Sequence, residues 1–137
     1  VFHSWEFNHD LIGYNYRMPN LNAALACGQM EMLDKFIIKK RDLASRYNSM
    51  FKKLELEPVR EPNDTYSNYW LNNVLFSNRT ERDAFISHSN AQQISARPVW
   101  TLMTKLPMFN NCICGDISIA QDMEDRLVSL PSSVKEL

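Results

Sequence analysis

Hydrophobic side chains in the first half of the chain recur at spacings of three, four or seven residues, as on one face of an α-helix. The series consists of Leu25, Met32, Phe36, Leu43, Tyr47, Met50 and Leu54. Asn20 follows Pro19 and is a residue type that caps helix N-termini. The pattern predicts one long amphipathic helix over residues 20–56, which the turn-forming residues 58–68 end.

Later segments have the composition of β-strands. Residues 69–76 are rich in aromatic and branched side chains. Residues 94–100 are a second candidate strand, and Pro98 is expected at its end or on a sheet edge because proline cannot donate a ladder hydrogen bond. Val128 and Leu130 form a brief third apolar run.

Two short helices are predicted between these strands. Thr80 is expected to cap a helix that reaches about Ser89, and Asp116 or Ser118 to cap another that includes Leu127. The order is then loop, long helix, strand, helix, strand, helix and short strand. This order predicts an α+β fold with helices packed against a small, largely antiparallel sheet.

Composition and charge exclude several classes. With 137 residues, the chain suits one core rather than a complete two-domain enzyme, and a hydrophobic content of 45% predicts that it folds. The net charge of −1 gives no general attraction to nucleic acid. Residues 35–53 carry seven basic side chains and one acid, a local charge of +6, which we interpret as a solvated helix face. No apolar run suggests a membrane span.

The reactive residue types do not form a recognisable catalytic or metal motif. The three glycines exclude a glycine-rich phosphate loop, and the histidines lack ligand spacing. The odd number of cysteines favours reduced thiols at Cys27, Cys112 and Cys114. Together with the absence of a signal peptide at the N-terminus, this predicts a cytoplasmic protein, and a start at Val1 suggests part of a longer chain.

Two segments could bind an anionic ligand. In the loop of residues 13–20, the Asn15 amide and the Arg17 guanidinium could donate to phosphate or carboxylate; alternatively, the loop tyrosines pack and Arg17 forms a structural ion pair. In residues 97–100, Arg97 and Trp100 suit a charged, ring-bearing ligand. The alternative there is a strand end with Trp100 in the core.

The same segments resemble a known family. The motifs are WEFNHD at 5–10, GYNYRMPN at 13–20, RPVWTLM at 97–103 and LVSLPSS at 127–133. In this order they resemble the DegT/StrS-type sugar aminotransferases. The resemblance covers essentially the whole chain, and its details are most similar to the branch that acts on nucleotide-linked amino sugars of bacterial surface glycans.

The resemblance implies a fold and a function. The fold is that of fold-type-I enzymes dependent on pyridoxal 5′-phosphate (PLP), related to aspartate aminotransferase, and this chain corresponds to its C-terminal part. Residues 1–19 would be an active-site and dimer-interface loop from the large domain, residues 20–56 a connecting helix, and residues 57–137 the small α+β domain. The implied enzyme is a homodimer that transfers an amino group, typically from glutamate, to a nucleotide-linked keto sugar.

The resemblance also implies residue roles. Asn15 corresponds to the residue that reaches across the dimer to the cofactor phosphate, and Arg17 to the neighbouring arginine that pairs with substrate phosphate or carboxylate. Arg97 and Trp100 lie in the segment that lines the nucleotide-sugar pocket, with Val99 and Met103 as weaker candidates. No metal is implied, and neither nucleic acid nor a membrane is an expected partner.

One departure from the family pattern limits the predicted activity. The lysine that holds the cofactor covalently, and the aspartate that pairs with its pyridinium nitrogen, lie upstream of GYNYRMPN and are not in this sequence. No catalytic residue is therefore assigned here, and this chain alone is predicted to be inactive. The alternatives are a non-catalytic binding or dimerisation module, or a regulatory member of the same fold. Apolar surface left uncovered is expected to make the chain associate.

Overall fold

The computed structural model describes residues 8–134, which form an α+β fold with one four-stranded sheet. Residues 8–19 contain no helix or strand. The helices and strands that follow are α1 (Asn20–Met30), α2 (Leu33–Lys53), β1 (Glu57–Pro58), β2 (Asn72–Leu75), α3 (Arg79–Ala91), β3 (Arg97–Pro98), α4 (Ser118–Arg126) and β4 (Leu127–Leu130). Two 3₁₀ turns, Met103–Lys105 and Pro107–Phe109, lie between β3 and α4.

The prediction of one continuous helix over residues 20–56 is wrong. Glu31 and Met32 form a turn that separates α1 from α2, and α2 ends at Lys53. Gly28 weakens the preceding turn of helix, because glycine is about 1 kcal/mol less favourable than alanine in a helix interior. Since α1 has no buried residue, no packing compensates. Nor does Asn20 cap α1: Pro19 holds the cap position without a side-chain bond.

The predicted antiparallel sheet is confirmed. Its strand order is β1-β2-β4-β3, and each neighbouring pair is antiparallel. The ladder between β2 and β4 runs from Asn72 opposite Leu130 to Leu75 opposite Leu127. Strand β2 is shorter than the predicted 69–76, because its partner offers only four residues, and Leu127 belongs to β4 rather than to α4. Pro98 lies on the edge strand β3, as predicted.

The core lies between one face of the sheet and helices α2 and α3. Val74, Ile86 and Val128 are fully buried, and Phe51 on α2 completes the contact from the helix side. Burying each such side chain contributes roughly 1.5–3 kcal/mol. The ring of Tyr47 stacks on Phe51 with centroids 5.7 Å apart. The long amphipathic α2 is therefore the element that anchors the sheet.

The predicted caps of the two shorter helices are one or two residues out of place. Asn78, not Thr80, caps α3: its side-chain oxygen accepts from the Glu81 amide at 3.0 Å. Ile117 occupies the cap position of α4, although the Asp116 carboxylate accepts from the Ser118 amide at 2.9 Å. No helix within residues 8–134 is long and apolar enough to cross a membrane.

Candidate ligand-binding site

A cavity of about 340 Å³ lies beside the edge strand β3. It is bordered by the start of α3, the end of α4, the segment that precedes β2, and the residues that follow β3. We call it the β3 groove. Its lining consists of Asn8, Trp70, Leu71, Arg79, Arg82, Arg97, Pro98, Val99, Trp100, Thr101, Lys105, Glu124 and Ser129.

Two tryptophans form the aromatic part of the β3 groove. The rings of Trp70 and Trp100 stack with centroids 6.0 Å apart and planes inclined by 28°. Trp100 is 61% exposed and Trp70 is 65% exposed, so both keep an open ring face. The alternative in which Trp100 belongs to the core is therefore wrong. Exposed paired indoles provide a surface on which a planar ring can stack.

Four cationic side chains from the described part of the chain line the same groove. Arg97 is exposed on β3, directly opposite Ser129 in the sheet register. Arg82 is only 3% exposed, and its guanidinium donates to the Asp83 carboxylate at 2.7 and 2.8 Å and to the Glu124 carbonyl. Arg79 pairs with Asp125 at 3.3 Å, and Lys105 is the fourth cation. The groove is therefore lined by basic groups, although Arg79, Arg82 and Lys105 already pair with carboxylates of the chain.

Among residues 8–134, Glu124 is the acidic residue that lines the groove. Its carboxylate accepts hydrogen bonds from the Leu102 amide at 3.0 Å and from the Lys105 ammonium. Burial favours the neutral acid, but the two hydrogen bonds and the nearby charges of Lys105 and Arg79 outweigh it and lower the pKa of Glu124. The charged carboxylate thus holds the segment after Trp100 against α4.

The structure separates the predicted site residues into two groups. Arg97, Val99 and Trp100 line the β3 groove, whereas Met103, exposed on the first 3₁₀ turn, does not. Asn15 and Arg17 lie outside the groove on the exposed loop 8–19. That loop reaches the groove through Asn8, whose amide oxygen accepts from the Thr101 hydroxyl at 3.0 Å.

Asn15 and Arg17 have the chemistry of an anion site. Both side chains are exposed, and neither is hydrogen-bonded to another described residue, so an amide and a guanidinium remain available as donors. The neighbouring rings of Tyr14 and Tyr16 stack on each other at 5.9 Å. The alternative in which Arg17 is a structural ion-pair partner finds no such partner between residues 8 and 134.

Several groove residues were not identified from the sequence. Trp70 falls within the predicted strand 69–76, and no local signal in the sequence distinguishes it from the other aromatic residues of that segment. Arg79, Arg82 and Glu124 carry no such signal either, because only the packing of α3 and α4 brings them to β3, and Lys105 reaches the groove from the first 3₁₀ turn. Over the described residues, no cluster of three or more potential metal-ligating side chains occurs, and the three cysteines are exposed and unbridged.

Comparisons with known proteins identify the family. The model of the DegT/DnrJ/EryC1/StrS aminotransferase family matches residues 3–135. The GDP-perosamine synthase of Escherichia coli O157:H7 is 34% identical over 93% of this chain and 34% of its own length. The enzyme of the same name from Vibrio cholerae is 37% identical over 75% of this chain and 29% of its own length. This chain therefore spans about a third of the relatives that it matches.

The solved structures confirm the predicted fold class. A Streptococcus pneumoniae protein described as a sugar aminotransferase, in its PLP form, superposes with a TM-score of 0.76 at 20% identity. The match covers 98% of this chain and 36% of that one. The chain thus shares the fold of part of that protein, and it belongs to the DegT/DnrJ/EryC1/StrS aminotransferase family.

Proposed function

We propose that this chain is the C-terminal part of a cytoplasmic, homodimeric, PLP-dependent aminotransferase that acts on a nucleotide-linked keto sugar for surface-glycan synthesis. Family membership over residues 3–135 supports the reaction class. The observation that carries the substrate assignment is the β3 groove, where the open indole of Trp100 lies beside the Arg97 cation. A nucleotide sugar has the matching parts, namely a planar base and a diphosphate.

Each proposed binding residue has a distinct task in this enzyme. Arg97 pairs with a phosphate of the substrate, since its guanidinium fork can donate two parallel hydrogen bonds. Trp100 stacks against the base. Val99 contributes an apolar wall between them. These contacts position the sugar and require no proton transfer by groove residues.

The loop 8–19 is proposed to serve the cofactor. The exposed Asn15 amide donates to the cofactor phosphate of the second subunit, and the Arg17 guanidinium beside it binds a substrate phosphate or carboxylate. Pyridoxal phosphate, when bound, supplies the electron sink for amino-group transfer. The two available donors suit the phosphate of that cofactor.

Catalysis is proposed to need residues outside this chain. The 137 residues include no lysine in the family's cofactor-binding context, and Lys105, the lysine that lines the groove among residues 8–134, is paired with Glu124. In our proposal, residues 1–19 and 20–56 connect the missing large domain to the small domain at 57–137. Glutamate is the proposed amino donor.

The decisive experiment is the intact mass of the native gene product, with PLP present, before and after borohydride reduction. A much larger chain that gains one reduced cofactor on a lysine preceding Val1 would support the proposal. Amino transfer from glutamate would then be assayed with GDP-linked keto sugars first, because the two relatives are named GDP-perosamine synthases. A native mass near 16.0 kDa without an adduct would instead support a non-catalytic module.

A further inference from the structure

The segment that carries Trp70 into the β3 groove is attached to helix α2 by two adjacent cations. The Arg41 guanidinium donates to both oxygens of Glu61 at 2.7 and 2.9 Å, and to the Ser67 carbonyl at 2.7 Å. It also lies 4.0 Å from the ring centroid of Tyr66. Arg41 thus organises residues 61–67, which precede Trp70 in the chain.

Lys40 acts on Trp70 itself. Its ammonium donates to the Trp70 carbonyl at 3.1 Å and to the Ser132 carbonyl at 2.8 Å. Ser132 is buried, and its hydroxyl accepts from the Asn72 amide at 2.8 Å. A single side chain of α2 therefore ties the backbone of Trp70 to the well-packed end of β4.

The backbone before Trp70 is in a conformation that needs such support. Tyr69 has φ 45°, in the left-handed region that bulky residues avoid. The Ser67 hydroxyl accepts from the Tyr69 amide and the Asn68 side chain from the Trp70 amide, each at 3.0 Å. A strained backbone conformation persists only where several surrounding contacts hold it in place.

The contacts of Lys40 and Arg41 orient the Trp70 side chain, which does not pack in the core. Trp70 is 65% exposed, and its ring stacks on the similarly exposed ring of Trp100. Little apolar burial therefore fixes this indole, whereas three polar contacts fix the chain that leads to it. These contacts therefore place the indole of Trp70 against that of Trp100 in the β3 groove.

We propose that Lys40 and Arg41 are positioning residues that hold Trp70 against Trp100, and that this indole pair is the platform for the planar base of the nucleotide. The second part rests on the proposed function. At a centroid distance of 6.0 Å the two rings leave no slot for a third ring between them, so the base stacks on an outer face of the pair. Arg97, which lines the same groove, would then bind the phosphates.

The first test measures the indole pair without any ligand. In the full-length protein, near-UV circular dichroism reports the coupling of two stacked indoles, and Trp70→Phe and Trp100→Phe assign that signal by difference. We expect Lys40→Met to remove most of the coupling and Lys40→Arg to restore it. Lys35→Met is the matched control on the same helix, because Lys35 is exposed and contacts no described part of the segment.

The second test separates base recognition from phosphate binding. GDP and inorganic pyrophosphate are titrated into the same variants, with UDP as a second base. Base–aromatic stacking predicts that Lys40→Met and Trp70→Ala weaken GDP binding about tenfold. Pyrophosphate affinity should stay within about twofold of wild type, since it offers no ring to the platform.

The outcomes distinguish this inference from the proposed function. An unchanged indole signal in Lys40→Met, or equal losses for GDP and pyrophosphate, would overturn the inference even if the cofactor adduct forms. A wild-type protein that forms the adduct but binds neither GDP nor UDP would overturn the platform. If the adduct is missing, the enzyme assignment fails, and the loss or survival of the indole signal still decides the role of Lys40.

Discussion

The Arg41 guanidinium and the Glu61 carboxylate form a two-pronged ion pair between helix α2 and the segment that leads to β2. Glu61 also accepts from the Ser67 amide at 2.7 Å. The hydrogen bonds from Arg41 and Ser67 lower the pKa of Glu61 from 4.5 to about 2. The basic residues within 35–53 were interpreted from the sequence as a solvated helix face. Two of them, Lys40 and Arg41, instead bind other parts of the fold.

This pKa predicts an acid dependence of stability. Because the folded protein lowers the pKa of Glu61, the pair stabilises fully above pH 4.5, and that stabilisation is lost as the pH falls toward 2. Urea unfolding across this range should show a steeper loss for wild type than for Glu61→Gln. Glu57→Gln, at an exposed acid on β1, is the control and should behave as wild type. Equal slopes in wild type and Glu61→Gln would contradict the ion pair.

The cap of α3 gives a prediction that separates the structure from the sequence pattern. Asn78→Ala should lower the free energy of unfolding by about 1 kcal/mol, because the Glu81 amide loses its acceptor. Thr80→Ala should change it by less than about 0.5 kcal/mol, since Thr80 is exposed inside the helix. Thermal unfolding of both variants measures this. A larger loss of unfolding free energy in Thr80→Ala than in Asn78→Ala would indicate that Thr80 caps α3, as the sequence predicted.

The end of α3 offers a stabilising change. Gln93 has φ 61°, and its amide bonds to the Asn90 carbonyl at 3.0 Å while the Ile94 amide bonds to Ser89 at 2.9 Å. This is the Schellman arrangement, in which glycine is favoured at the left-handed position. Gln93→Gly should raise the free energy of unfolding by about 0.5–1 kcal/mol.

The neighbouring residue provides the control for that change. Gln92 has φ −89°, so glycine relieves no strain there and only adds freedom to the unfolded chain. Gln92→Gly should therefore destabilise by about 0.5–1 kcal/mol. The same sign in both variants, measured by urea unfolding, would be incompatible with the left-handed cap.

The exposed apolar side chains of α1 predict association of this chain on its own. Leu21 and Leu25 are 80% and 65% exposed and are one helical turn apart on the same face. Leu21→Glu with Leu25→Glu should shift sedimentation toward monomer. Gln29→Glu adds charge on the same helix without removing apolar surface and should not. A monodisperse monomer in the unaltered chain would show that this face does not drive association.

Arg97 should control nucleotide affinity in the full-length protein. Loss of its charge-assisted hydrogen bonds in Arg97→Ala should weaken GDP binding about tenfold, whereas Arg97→Lys should recover only part, because an ammonium lacks the planar fork. Arg46→Ala, at an exposed position of α2, is the control. Calorimetric titration measures all three. Wild-type affinity in Arg97→Ala would remove Arg97 from the site.

The site could be predicted only where its residues are contiguous. Arg97, Val99 and Trp100 share one short segment, and a family motif covers it. Trp70, Arg79 and Glu124 come from the segment before β2, from α3 and from α4, and their approach depends on how these three parts of the chain pack. Asn15 and Arg17 stay predictions, since their proposed ligand involves a second subunit.

The sequence by itself determined the fold class, the order of the elements apart from strand β1 and the break between α1 and α2, the edge position of Pro98 and the family. These features follow from periodicity, residue conformational preferences and motif order, which are properties of neighbours along the chain. The tertiary structure decided where the helix breaks, which residues cap α3 and α4, how short the strands are, and which cations surround the two indoles. Those features depend on burial and on hydrogen bonds between distant segments, such as that from Lys40 to Trp70.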